Sequence, residues 1–174
     1  VFLDRKFLSN KNRWSLSSPQ HIDGYSLKKI FNSRNFFDFY FAVVRDPISR
    51  FKSAFVFQKY IRKKIPGDLS INKFISLIID KKILLYGYCD NHFLPMVDFL
   101  MPNARYKIFK LENGVTSLKK WFEETIYKDK IKFEILHENS TNNKIKEIEN
   151  LRLTIKSLES LKIIYKKDFE AFKY

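Results

Sequence analysis

Phe39-Tyr40-Phe41-Ala42-Val43-Val44-Arg45-Asp46-Pro47-Ile48-Ser49-Arg50-Phe51-Lys52-Ser53-Ala54-Phe55 is the stretch on which the fold turns. Its first six residues are an unbroken apolar run of aromatic and β-branched side chains, the pattern of a strand buried on both faces and so of a central strand in a parallel sheet. The run stops at Arg45-Asp46-Pro47. There Asp46 can serve as N-cap and Pro47 as first residue of a helix predicted to reach about Lys63. In open parallel sheets ligands bind beyond the carboxyl ends of the strands, and a helix amino terminus there offers N–H groups to a phosphate. Arg45 stands at that edge. Arg50 and Ser53 follow three residues apart on one helical face, so a guanidinium and a hydroxyl can converge on one anion. The plainer alternative is that Arg45 and Arg50 pair with surface carboxylates such as Asp46.

Outward from this unit, strands and helices alternate. A polar loop over residues 15–20 precedes a short helix predicted near Gly24 to Phe31. A helix is expected from Ile71 to about Ile79, strands at Tyr106–Phe109 and Phe133–Leu136, and a helix capped by Ser117 that carries Leu118, Trp121 and Phe122. Apolar residues then recur three or four apart at Ile145, Ile148, Leu151, Ile155 and Leu158, a helical face continued in a last helix through Leu161, Ile164, Tyr165 and Phe169. The alternation argues for an α/β fold with a mainly parallel sheet. With four Gly and five Pro in 174 residues there is no linker or repeat, and one domain over residues 1–174 is expected.

Composition narrows the partners. Lys and Arg outnumber Asp and Glu by 33 to 19, a net charge of +14, which suits polyanions: nucleotides, sulfated or uronic-acid glycans, nucleic acid. The Lys28-Lys29, Arg62-Lys63-Lys64, Lys81-Lys82 and Lys119-Lys120 clusters read first as solvated faces. Cys89, the one cysteine, has no intrachain partner, as suits a reducing compartment. No apolar run reaches the roughly 18 residues of a membrane span. No His, Cys or Asp set has metal-ligand spacing, so no metal is expected.

Residues 41–55 resemble the 3′-phosphate motif of the sulfotransferase family, a strand followed by R-D-P-x-x-R-x-x-S-x-[FY]. Asp90-Asn91-His92-Phe93-Leu94-Pro95-Met96 is similar to the D-x-H-x-x-P-Q stretch of its carbohydrate (Golgi-type) branch, with Met96 where Gln is usual. Lys110-Leu111-Glu112-Asn113 and His137-Glu138-Asn139-Ser140 resemble further segments in the right order, and residues 164–174 resemble the closing I-Y-x-x-D-F-x-x-F-x-Y. The resemblance implies a three-layer phosphate-loop (P-loop NTPase-like) architecture and transfer of a sulfuryl group from 3′-phosphoadenosine-5′-phosphosulfate to a hydroxyl, with a carbohydrate as acceptor. By it, Arg45 and Ser53 bind the donor's 3′-phosphate, Arg50 supports the same turn, and Asn139 with Ser140 line the donor pocket.

Such a transfer needs a base for the acceptor proton. Of His21, His92 and His137, His21 resembles the histidine that precedes the donor strand in glycan sulfotransferases, and is the candidate base. Otherwise it caps the helix that follows. His92 reads as a core-edge residue ahead of an acceptor contact, and His137 stays open. The family's P-K-x-G-x-T-like loop has no match, and the chain opens on Val1, so an amino-terminal truncation that removes this loop and the first strand is expected. Two other functions stand beside the transferase. One is a non-catalytic module for anionic glycan or nucleic acid on a degenerate scaffold; the other is a nucleotide kinase, for which a G-x-x-x-x-G-K-[ST] loop is missing. Under the transferase reading the partners are the nucleotide donor and a carbohydrate acceptor, with no nucleic acid. The compartment would be the cytoplasm for a bacterial protein and the Golgi for a eukaryotic one, where membrane association enters by family analogy alone.

Overall fold

In the computed structural model, residues 17–31, 36–128, 148 and 151–174 are described. The apolar run forms strand β1 (Phe41–Val44), and after the turn at Arg45-Asp46 helix α2 (Pro47–Val56) begins and continues as a π-turn to Ile61. Helix α1 (Gly24–Ile30) precedes this unit, and helix α3 (Ile71–Ile79) follows it at the bounds expected. Strand β2 (Lys107–Lys110) lies parallel to β1, with Phe41 opposite Lys107 and Val44 opposite Lys110. Parallel partners need a crossover, and α2 and α3 supply it in sequence. Helix α4 (Thr116–Trp121) and the carboxy-terminal helices α5 (Ile155–Ile164) and α6 (Lys166–Phe172) complete a mixed α/β chain with a small parallel sheet.

Among the described residues β1 is not buried on both faces. Val44 is 2% exposed, whereas Phe41 and Val43 on the alternate face are 41% and 44% exposed. Ala42 and Val44 pack with Ile108, Met96 and Phe172 on the inner side. On the outer side Phe41 meets Trp121 and Phe122, at ring-centroid distances of 5.8 and 4.9 Å. An all-apolar run is compatible with either environment, because an aromatic cluster satisfies the outer face as well as a second helical layer would.

The larger core is helical. In α2 the buried Phe51, Ala54 and Phe55, and in α3 Ile71, Phe74, Ile75 and Ile78, recur at the three- and four-residue spacing of one helix face. They close on Phe93, Leu161 and Tyr165. Phe51, Phe74 and Phe93 pack as tilted rings around one another at centroid distances of 4.9 to 6.0 Å. Each fully buried ring contributes about 1.5–3 kcal/mol by area alone.

Two helix starts differ from the sequence reading. Gly114, at φ 74°, turns the chain early, so α4 starts at Thr116 with Val115 in the cap position; Ser117 falls inside the first turn and caps nothing. The helical periodicity from Ile145 to Leu158 is interrupted, because residues 151–154 belong to no helix and α5 starts only after the extended Thr154, whose hydroxyl accepts from Ser157 N at 3.1 Å. Asn72 holds the interruption in place: its amide donates to Arg152 O and accepts from Thr154 N, both at 3.1 Å, tying the backbone of this segment to α3. The expected strand Phe133–Leu136 lies outside the described residues, as do His137, Asn139 and Ser140.

Candidate active site

The corner where β1 ends is held by carboxylates. The Asp46 side chain accepts from Ser49 N at 2.7 Å and so caps α2, while its own N–H donates to Glu112 Oε1 at 2.7 Å. Glu112 Oε2 in turn accepts from the Tyr174 hydroxyl at 2.8 Å. Burial works to raise the Glu112 carboxyl, but the Asp46 N–H, the Tyr174 hydroxyl and the charge of Arg45 outweigh it and hold the group below the usual range. Burial and the bond to Glu112 push the Tyr174 phenol up. The amides expected to face a phosphate are therefore largely taken: Pro47 has none, and those of Asp46 and Ser49 already serve carboxylates. An anion at this corner has to be held chiefly by side chains, and Arg45 is the cation that leaves the strand here.

Arg50 turns inward. Its Nη1 donates to Leu94 O at 2.9 Å, and its guanidinium lies 5.9 Å from the centre of the Phe99 ring. Burial lowers its pKa, opposed by Tyr165 and Asp168, although an arginine so placed stays charged. Tyr165 donates to Phe93 O at 2.7 Å, and the two oxygens of buried Asp168 accept from Met96 N and Val97 N at 2.8 and 2.9 Å. Arg50 from α2 and Tyr165 and Asp168 from the last helices thus brace the segment 93–97 from two sides. In place of the alternative pairing of Arg50 with a carboxylate such as Asp46 there is this internal bond, and it also turns Nη1 away from the anion that Arg50 and Ser53 were expected to share. Ser53 is half-buried, one turn before Phe57, whose N–H reaches the Ser53 carbonyl.

Phe57 leads to the histidines. Its ring stacks on His92 at 5.4 Å and 20°, and His92 meets His21 at 4.5 Å. Burial, with smaller effects from His21, Arg50 and Arg62 against an opposing Asp90, pushes His92 down to about 4, so it is neutral at physiological pH. That fits a core-edge histidine. His21 lies in a 3-10 turn, Pro19–His21, with its side chain 32% exposed. It does not cap α1: Asp23 does, accepting from Ser26 N at 2.9 Å and from the Tyr86 hydroxyl at 2.7 Å. Instead His21 Nδ1 lies 2.9 Å from Asp90 Oδ2, which also accepts from Ser18 Oγ at 2.8 Å, while Asp90 Oδ1 accepts from Ser18 N at 2.6 Å. Ser18 and Asp90 both approach Nδ1, so this is no nucleophile triad, in which the serine would face the other nitrogen.

Among the described residues no group of three or more His, Cys, Asp or Glu could hold a metal ion. The cleft bordered by Lys28, Tyr40, Arg105, Lys107 and Trp121 lies at the amino-terminal ends of the strands, and none of His21, Arg45, Arg50 or Ser53 lines it.

A family model described as "Sulfotransferase family" matches residues 4–174. The chain belongs to the sulfotransferase family. Searches among curated proteins and among solved structures each found no match. In this sulfotransferase the motif residues divide by geometry: Arg45 and Ser53 sit along α2 and its entry, Arg50, Tyr165 and Asp168 support a loop, and His21 stands beside that loop. Asp90 was not singled out from sequence as a partner of His21. The signal available was its place at the head of the D-x-H stretch, but nothing in spacing pairs it with a residue 69 positions earlier. No helix among the described residues is long and apolar enough to cross a membrane.

Proposed function

We propose that this sulfotransferase transfers the sulfuryl group of 3′-phosphoadenosine-5′-phosphosulfate to a hydroxyl of a carbohydrate, within one domain of three-layer phosphate-loop type. The observation that supports this best is the exit of β1 through Arg45 into a capped helix bearing Ser53, in a chain of this family. Arg45 and Ser53 hold the donor's 3′-phosphate, and Arg50 keeps the turn and the facing loop in register. Asn139 and Ser140 belong to the donor pocket by resemblance alone. His21 is the base: as the acceptor oxygen bonds to sulfur, its proton passes to the imidazole. The bond from sulfur to the bridging oxygen of the 5′-phosphate breaks, and adenosine 3′,5′-bisphosphate leaves with the electron pair.

The test is calorimetric titration with adenosine 3′,5′-bisphosphate, beside the Arg45→Ala, Ser53→Ala double variant. Binding that the double change abolishes is the expected result. Absence of nucleotide binding, with salt-sensitive uptake of heparin-like polyanions, would favour the non-catalytic module, a reading to which the net charge of +14 already lends weight.

A further inference from the structure

Cys89, Asp90 and Asn91 follow one another at φ 48°, 61° and 62°. Left-handed backbone is adopted by L-residues singly rather than in runs, and strained segments of this kind persist only where the surroundings over-determine them. Asn91 does so here. Fully buried, it accepts from Gly87 N at 2.7 Å and donates to the His21 carbonyl at 2.9 Å, so one side chain locks the turn and ties it to the backbone of His21. The outcome is the placement of Asp90 against the His21 ring.

We propose that Asp90 is the positioning residue for the base, fixing His21 with its proton on Nδ1 so that Nε2 carries the lone pair that takes the acceptor's proton. This rests on His21 being the base. A carboxylate can only accept, and Asp90 is kept ionised by its environment: burial works to raise it, but the bonds from Ser18 and His21 outweigh that and hold it below the usual range. Facing it across 2.9 Å, Nδ1 must therefore be the donor. When Nε2 gains the acceptor's proton, the same carboxylate stabilises the imidazolium. His92 also touches the ring; it is neutral and adds no opposing charge, burial and the charges of Arg50 and Arg62 acting against its protonation. Ser18 holds both carboxylate oxygens and so prevents Asp90 from rotating away.

Nitrogen-15 spectra of the imidazoles in the full chain read the tautomer directly and need no variant. His21 is expected to show a protonated Nδ1 and an unprotonated Nε2, and Asp90→Asn to shift the ring toward the Nε2–H form. Turnover, followed with the phosphosulfate donor and a panel of unsulfated uronic-acid oligosaccharides, is expected to fall by about 10²-fold or more in Asp90→Asn. KM for the donor should hold within about twofold, and the change should add nothing on a His21→Ala background. An Nε2–H tautomer in the parent, or an Asp90→Asn protein with unaltered tautomer and rate, overturns the proposal. Near-normal turnover of folded His21→Ala overturns the base reading itself, whereas an inactive His21→Ala beside a fully active Asp90→Asn removes Asp90 alone.

Discussion

His92 shows how one residue can be conspicuous in sequence and structural in place. Stacked on Phe57 and pressed against His21, it has a folded-state pKa of about 4, against about 6.5 for an ordinary histidine. Between those values the unfolded chain binds more protons than the folded one, so stability rises with pH across that window and is lost as pH falls from about 6.5 toward 4. Thermal unfolding measured at pH 7, 6 and 5 is expected to show this decline, and His92→Phe, which keeps the stack, to flatten it. At Asp168 the same scale gives a second expectation. Its two oxygens accept two backbone N–H groups, and Asp168→Asn would turn an amide donor toward one of them, costing about 1–3 kcal/mol in denaturant unfolding. Tyr165→Phe removes only the hydroxyl bond to Phe93 O and should cost about 1 kcal/mol.

At the level of elements, glycine has one position where space decides. A Cβ on Gly24 would overlap the carbonyl of Leu100, because the first turn of α1 packs directly on the chain at residues 100–101. Gly24→Ala is therefore expected to lower the melting temperature despite alanine's higher helix propensity, by displacing α1 and the Pro19–His21 turn ahead of it. The helices α2 and α3 were legible in sequence: Asp46 and Pro47 begin one, and the apolar face of Ile71, Phe74, Ile75 and Ile78 marks the other, which Ser70 caps in the structure. Ser117 misled because Gly114 moved the turn, a tertiary choice of backbone that no cap residue announces. Residues 151–154 misled because Leu151 and Ile155, four apart, keep a helical spacing although Asn72 holds the backbone between them out of a helix. At the candidate site, Arg45, Ser53 and His21 could be picked out by motif, whereas the inward turn of Arg50 and the partnership of His21 with Asp90 depend on contacts across 44 and 69 residues.

For the whole molecule, the surplus of cations sets how it meets its ligands. With a net charge of +14, binding of a multiply charged nucleotide should weaken as salt rises. Raising NaCl from about 50 to 300 mM is expected to slow association more than it speeds dissociation, which stopped-flow titration with adenosine 3′,5′-bisphosphate would separate. The cross-links around the candidate site also carry an order in time. Ser18 and Asp90, His21 and Asn91, Phe93 and Tyr165, Met96 and Asp168 are joined across 70 to 72 residues. Contacts this distant form late, after helices that close within themselves. A chain emerging from the ribosome can thus bury Phe51 against Phe74 first, set the imidazole of His21 once residues 90–92 have followed, and fix residues 93–97 only after Tyr165 and Asp168 have been made.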